Sequence, residues 1–288
     1  MATPMNHSTG QSASTSVEVG RLFNLDLPAL KKTGRVFPEQ SNATFHRVLD
    51  VACGSGEWTI RAAQASPQLQ IVGIDASLEL IDSARSQAEA RHLDNVRFMV
   101  MDPLRPSDLP DASFDLVNAR FLVGFTPLDA WPELINVCLR LLQPGGIIRL
   151  VEGDELITTS PACEQMSDLL ARALWQAHHQ LFPPTLFRGK NLGQNLLITP
   201  LLPNVLRNAG LTPLQAASVT NFSAGMETYT EITQEIEQVY QRIQPWLVQR
   251  LAIPQEEIEQ VYQQMLTEMQ ADDFGGVGFY LTVWGRKP

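Results

Sequence analysis

Cysteine is scarce in this 288-residue chain: Cys53, Cys138 and Cys163 are odd in number, far apart and free of any C-x-x-C spacing. Such a set gives no disulfide framework and reads as reduced thiols in a cytosolic protein. Long apolar runs are missing too. No stretch approaches the roughly 18–20 residues needed to cross a bilayer. Residues 1–16, rich in Ser, Thr and Ala, lack the apolar segment of a signal peptide and read as a disordered tail. Basic residues are the minority, 21 against 31 acidic ones, for a formal charge of −10. That field repels phosphate backbones and anionic membrane surfaces, so neither nucleic acid nor membrane is an expected partner. There is no internal repeat and no low-complexity tract beyond the tail.

What is present is a globular composition: 44% hydrophobic and 18% charged residues supply enough core to offset the entropy of ordering the chain. From about residue 46 to residue 152, short β-rich runs alternate with helical patterns, the signature of a parallel sheet covered by helices on both faces. The expected strands are residues 47–51, 70–74, 96–101, 114–118 and 146–151. Leu78, Ile81, Ala84 and Ala88 mark one helix between them, and Trp131, Leu134, Ile135, Cys138 and Leu142 mark another. The second helix should stop at Gln143-Pro144-Gly145-Gly146, where Pro cannot continue it and Gly can turn left-handed.

After Glu152 the rhythm changes. Ser160-Pro161 is an N-cap followed by a first helical residue, and Met166, Leu169, Leu170, Ala173 and Ala177 trace one apolar face of an inserted helix. Residues 211–220 and 277–284 read as the last two strands. Between them, Ile232, Ile236, Tyr240 and Ile243, then Ile258, Tyr262, Met265 and Met269, form two amphipathic patterns that a simple hairpin would not need. The organisation expected is therefore a tail (1–16), a helical lid segment (17–46), a cofactor-binding core (47–152), an inserted helical lid (153–198), and the end of the sheet (199–288) interrupted by helices at about 226–270.

The loop after the first strand carries the chemistry. In Val48-Leu49-Asp50-Val51-Ala52-Cys53-Gly54-Ser55-Gly56-Glu57-Trp58, small residues between a buried strand and a helix let backbone approach a ligand, with the N–H groups of the following helix facing it. A Gly-rich turn alone also satisfies a plain need for positive φ. Two details narrow the reading. A dinucleotide fingerprint written from Gly54 has Thr59 at its third small position. Asp50, at the strand end, would repel a pyrophosphate but suits the ammonium of an amino-acid-bearing nucleoside. Asp75 ends the second strand, 21 residues beyond Gly54, where a carboxylate accepts the hydroxyl protons of a ribose. Asp102-Pro103 follows the third strand, so three strand ends present acids along the edge where doubly wound sheets bind ligands.

Taken together, these residues resemble the class I S-adenosylmethionine-dependent methyltransferases, in particular the branch of ubiquinone- and menaquinone-biosynthesis and secondary-metabolism enzymes. The matching stretches are residues 48–56, Gly73-Ile74-Asp75-Ala76-Ser77, Met101-Asp102-Pro103, Ser113-Phe114-Asp115-Leu116-Val117 and Leu142-Gln143-Pro144-Gly145-Gly146. The resemblance implies an α/β, Rossmann-like doubly wound sheet of seven strands in order 3-2-1-4-5-7-6, the last antiparallel. It implies a cofactor site in which the loop Ala52, Cys53, Gly54, Ser55 and Gly56 packs on the methionine moiety. Asp75 with Ala76 would hold the ribose, Met101, Asp102 and Pro103 would meet the adenine, and Asn118 would lie beneath the sulfonium end. Ala52 stands where the family often has Gly.

Methyl transfer from a sulfonium needs alignment and a dry site, and no metal. The acceptor is expected to be a small molecule. Candidate acids and bases lie on segments overhanging the fourth and fifth strand ends: Glu152 and Asp154 after the fifth strand, and His178, which shares the inserted helix's apolar face by i+4 spacing from Leu174. Each also reads as a helix or turn cap, or as a solvated helix-end histidine. Arg120 and His179 are candidate acceptor contacts, Arg120 for a carboxylate or as a surface ion pair. Trp58 and Trp175 suit the sulfonium charge or an aromatic acceptor, and equally a core position. Two rivals stand beside methyl transfer: an S-adenosylmethionine-binding cyclase or regulatory binder, and an NAD-dependent oxidoreductase, which would have to tolerate Asp50 and Thr59.

Overall fold

The computed structural model describes residues 37, 45–122, 126, 130–153, 156–177, 199–227 and 229–288. The expected alternation is there. Strands β1 (Arg47–Val51), β2 (Gln70–Asp75), β3 (Val96–Val100), β4 (Phe114–Arg120) and β5 (Leu142–Gly153) are interleaved with helices α1 (Glu57–Ala65), α2 (Leu78–Ala90) and α3 (Trp131–Leu141). The strands from β1 to β5 run parallel in the order β3-β2-β1-β4-β5. Val48, Leu116, Ile147 and Ile71 face α1, whereas Leu49, Val51, Val117, Ala119, Ile148 and Leu150 face the core on the α3 side. Burial on both faces is why these runs are apolar throughout instead of alternating.

Beyond β5 come β6 (Ile157–Thr158), α4 (Pro161–Ala177), a 3₁₀ turn leading into α5 (Leu202–Asn208), β7 (Leu214–Ser223), α6 (Tyr229–Leu251), α7 (Gln255–Glu268) and β8 (Gly275–Arg286). Strand β8 pairs antiparallel with β5 on one side and with β7 on the other. This is the predicted seven-strand order with its antiparallel last strand. The addition is β6, two residues that pair with Val277 and Gly276 and continue along β8 the edge that β5 leaves. So short a strand has no periodicity to read.

Two local details differ from expectation. Leu78 opens α2 but is 59% exposed, because only Ile81, Ala84 and Ala88 of that pattern face inward. Helix α3 ends at Leu141, and Leu142 is already extended and paired with Phe114; Gly145, at φ +78, lies in the stretch of β5 where the register to β4 shifts.

Helices α4, α6 and α7 pack on one another, with Met166, Leu170, Ile236, Tyr240, Ile258 and Met265 among the buried side chains they share. Their core is continuous with that of the sheet. Ser167 and Tyr240 share a hydroxyl hydrogen bond of 2.8 Å between α4 and α6. The lid segment expected at 17–46 lies outside the described residues, save Phe37 and the two residues that precede β1.

Candidate functional site

The carboxyl ends of β1, β2, β3 and β4 place the predicted loop, Asp75, Met101 and Asn118 at one edge of the sheet. Between β1 and α1 the backbone enters the left-handed region three times, at Ala52 (φ 55), Gly54 (φ 58) and Gly56 (φ 77). Gly56 is demanded twice over, because a Cβ there would stand 2.6 Å from the Phe98 ring and 2.9 Å from Ala84. Gly54 differs: a Cβ on it would meet nothing within 4 Å, so the space above that residue is open to a ligand. The loop is pinned from every side. Cys53 donates its N–H to the Ile74 carbonyl (2.9 Å), Gly56 to that of Cys53 (3.0 Å), and the Gln87 amide of α2 donates to the Ser55 carbonyl (3.2 Å).

Asp75 accepts the backbone N–H of Gly54 (3.0 Å) on one oxygen and that of Ser77 (2.9 Å) on the other. Burial pushes its carboxyl above the ordinary value, against the pull of these backbone bonds. Each oxygen keeps a further lone pair. Ala76 beside it is exposed, and Met101 is buried with its N–H held by the Asp75 carbonyl (2.8 Å). Asp102 is exposed and caps its own turn, accepting the Leu104 N–H (2.9 Å), with Pro103 half-buried between them.

Asp50 and Asn118 lie deeper than the sequence reading placed them. Asp50 is 4% exposed; its carboxylate accepts from the Thr59 hydroxyl (2.5 Å) and from the Asn118 amide (2.8 Å). Asn118 is 0% exposed, and its amide oxygen accepts from Arg149 (2.8 Å). The carboxylate expected to help hold an ammonium is thus bonded to Thr59 and Asn118 within the protein, beneath the loop. Trp58 takes the core position, one of the two readings its sequence allows. It is 5% exposed, packed with Phe45, Val48 and Ala62, with Phe37 edge-on to its ring and the Arg120 guanidinium over it at 5.5 Å. Arg120 also covers Phe121 (5.0 Å), so its charge is stacked against the protein's own rings.

Of the acid–base candidates, Glu152 is described. It is 1% exposed at the end of β5 and accepts the Leu122 N–H (2.7 Å), tying the segment after β4 to β5. Asp154, His178 and His179 lie outside the described residues, and Trp175 lies on α4 with its side chain outside them. Two site residues escaped the sequence reading. Thr59, there a misfit to a dinucleotide fingerprint, bonds Asp50; Arg149 was passed over inside a strand. A lone charge within the apolar run Ile147-Ile148-Arg149-Leu150-Val151 was the available signal, since buried charge requires a partner. Asp115, part of a matching motif, sits at the opposite end of the sheet, where it accepts the N–H groups of His46 and Arg47 (both 2.7 Å) and so serves the fold.

Residues 48–146 match the methyltransferase domain family. Over 106 residues the chain is 41% identical to a demethylmenaquinone methyltransferase of Deinococcus radiodurans, covering 37% of this chain and 42% of that protein. Over 117 residues it is 38% identical to the 27-O-demethylrifamycin SV methyltransferase of Amycolatopsis mediterranei, covering 40% and 41%. The chain thus spans about two fifths of the length of these relatives. Among solved structures, the cyclase SpnF superposes with a TM-score of 0.55 at 20% identity, covering 99% of this chain and 98% of that one, a likeness of fold.

Proposed function

We propose that this chain, whose residues 48–146 match the methyltransferase domain family, transfers a methyl group from S-adenosylmethionine to a small-molecule acceptor. The observation that carries the reading is the open cradle over Gly54, flanked by Asp75 and Met101 on neighbouring strand ends. That arrangement fits an adenosyl amino acid: backbone and space for the methionine portion, a carboxylate for the ribose, an apolar wall for the adenine. When bound, the cofactor supplies an electrophilic methyl on a sulfonium, to be displaced in line. The chain's own part is to align and to exclude water. Asp75 orients the sugar through its remaining lone pairs, and the left-handed loop presents backbone at close range. Asp102 and Pro103 flank the base, and Ala76 the ribose.

The acceptor would enter beside the ends of β4 and β5, where Arg120 and Glu152 stand and where α4 carries Trp175. Glu152, Asp154 and His178 are the residues proposed to take or hold the acceptor's proton, with His179 as a further acceptor contact. Helices α4, α6 and α7, together with residues 17–32, are proposed as a lid shielding the methyl group from water. A small, partly apolar acceptor suits such an enclosure, and the charge of −10 argues against nucleic acid.

The test pairs binding with turnover. Calorimetry should show S-adenosylmethionine and S-adenosylhomocysteine bound in preference to NADH, and Asp75→Ala should weaken binding by about 1–3 kcal/mol while the fold survives. A screen of small acceptors should yield S-adenosylhomocysteine. Tighter binding of NADH would overturn the cofactor assignment; cofactor bound with no acceptor ever methylated would turn the reading to a cyclase or regulatory binder.

A further inference from the structure

One row of side chains crosses the sheet at a single level. In register from edge to interior it reads Phe98, Gly73, Asp50, Asn118, Arg149 and Trp284, one residue from each of β3, β2, β1, β4, β5 and β8. Its middle is polar and buried: Arg149, 5% exposed, donates to the Asn118 oxygen, and the Asn118 amide donates to Asp50. Thr59 closes the row from α1. The donor at one end and the acceptor at the other leave Asn118 one amide orientation, so the guanidinium's charge reaches the carboxylate through a bonded bridge. The methyltransferase match ends at residue 146, before Arg149.

A carboxylate so deep is costly to keep charged unless it is bonded and balanced. Here both conditions are met, two residues before the loop at Ala52. We infer that Arg149 is a positioning residue for the cofactor loop: through Asn118 it holds the Asp50 carboxyl in place beneath residues 52–56 and favours its charged form there. The inference rests on the cofactor proposed above, whose sulfonium and ammonium are cationic.

The groups facing Asp50 from the elements around it are Arg120 and Asn118 on β4, Arg149 on β5 and Thr59 on α1, with Cys53 of the loop between it and Asp75 on β2, both of which act on that thiol. The titratable residues of α1, Glu57 and Arg61, pair with each other. Burial raises the Asp50 carboxyl above its ordinary value; the Thr59 bond, Arg120, the Asn118 bond and Arg149 pull it down. Asp75 is likewise raised by burial, against the backbone bonds of Ser77, Gly54 and Ala76, and no group of β5 acts on it, so a change on β5 addresses Asp50.

The measurement is S-adenosylmethionine affinity against pH for the full chain. In the wild type, affinity should fall on acidification through a midpoint above the ordinary carboxylate range. Arg149→Met, which removes the charge, should move that midpoint upward by about one pH unit, and Arg149→Lys should return it most of the way. Arg149→Gln, which removes the charge but leaves an amide, should move it in the same direction and decides the matter if Arg149→Met does not fold. Affinity reduced equally at every pH, with unmoved midpoints in both variants, would overturn the inference and leave only a structural role. Failure of the wild type to bind at any pH would instead overturn the cofactor reading.

Discussion

Three residues of one loop share a sign of φ and differ in what that conformation serves. Gly56 answers to packing, since any Cβ would strike Phe98 and Ala84; Gly56→Ala should lower stability by about 2–5 kcal/mol, clash and left-handed strain together. Gly54→Ala meets open space and should cost about 1 kcal/mol of stability, while the added methyl intrudes on the cofactor and weakens its binding. Ala52→Gly relieves a left-handed alanine but loosens the unfolded chain, so stability should change by less than about 1 kcal/mol. Thermal melts paired with cofactor calorimetry separate the three. If Gly54→Ala bound cofactor as tightly as the wild type, the open space above that residue would not be the methionine cradle. Which glycines matter was legible in the sequence; which served packing was not, because Phe98 arrives from 42 positions further on.

At the scale of elements, α4 shows how far a local signal reaches. Ser160-Pro161 marked its start, and the Ser160 hydroxyl does accept the Cys163 N–H (3.0 Å). The same hydroxyl donates to Glu268 (2.6 Å), the last residue of α7, which also accepts the Ala162 N–H (2.9 Å). One carboxylate thus caps a helix more than a hundred positions away, a pairing that no local window contains. The bonds from Ser160, Gln264 and Ala162 hold the Glu268 carboxyl below its ordinary value. Its contribution is therefore complete above the ordinary carboxylate value and is lost as pH falls through the lowered one. Glu268→Ala should cost about 1 kcal/mol at neutral pH, and the gap to wild type should close as pH falls through that lowered value. Denaturant titrations at two pH values check it; a gap that persisted in acid would mean that packing, not the charged cap, was lost.

At the scale of the whole molecule, the bundle of α4, α6 and α7 shares one continuous core with β5 and β8. Bundle and sheet should therefore unfold together. Met166, fully buried on α4, is the place to ask: Met166→Ala should cost about 2–5 kcal/mol and shift a single transition seen alike by far-ultraviolet circular dichroism and tryptophan fluorescence. Two separated transitions, with the sheet's unmoved, would make the bundle a detachable unit.

The sequence by itself determined the order of strands and helices, the small-residue loop, Asp75 and the amphipathic faces of the additional helices. Periodicity and turn chemistry are properties of short windows, and those elements are built from short windows. Only the tertiary structure decided that Asp50 lies beneath the loop, that Trp58 belongs to the core under Arg120, that β6 extends an edge of β8, and that Thr59, Asn118 and Arg149 form one bonded row with Asp50. Parallel pairing brings together residues 31 and 68 positions apart at a single level of the sheet. Whether a buried polar group is satisfied depends on such neighbours across strands, and register is settled only when the sheet assembles.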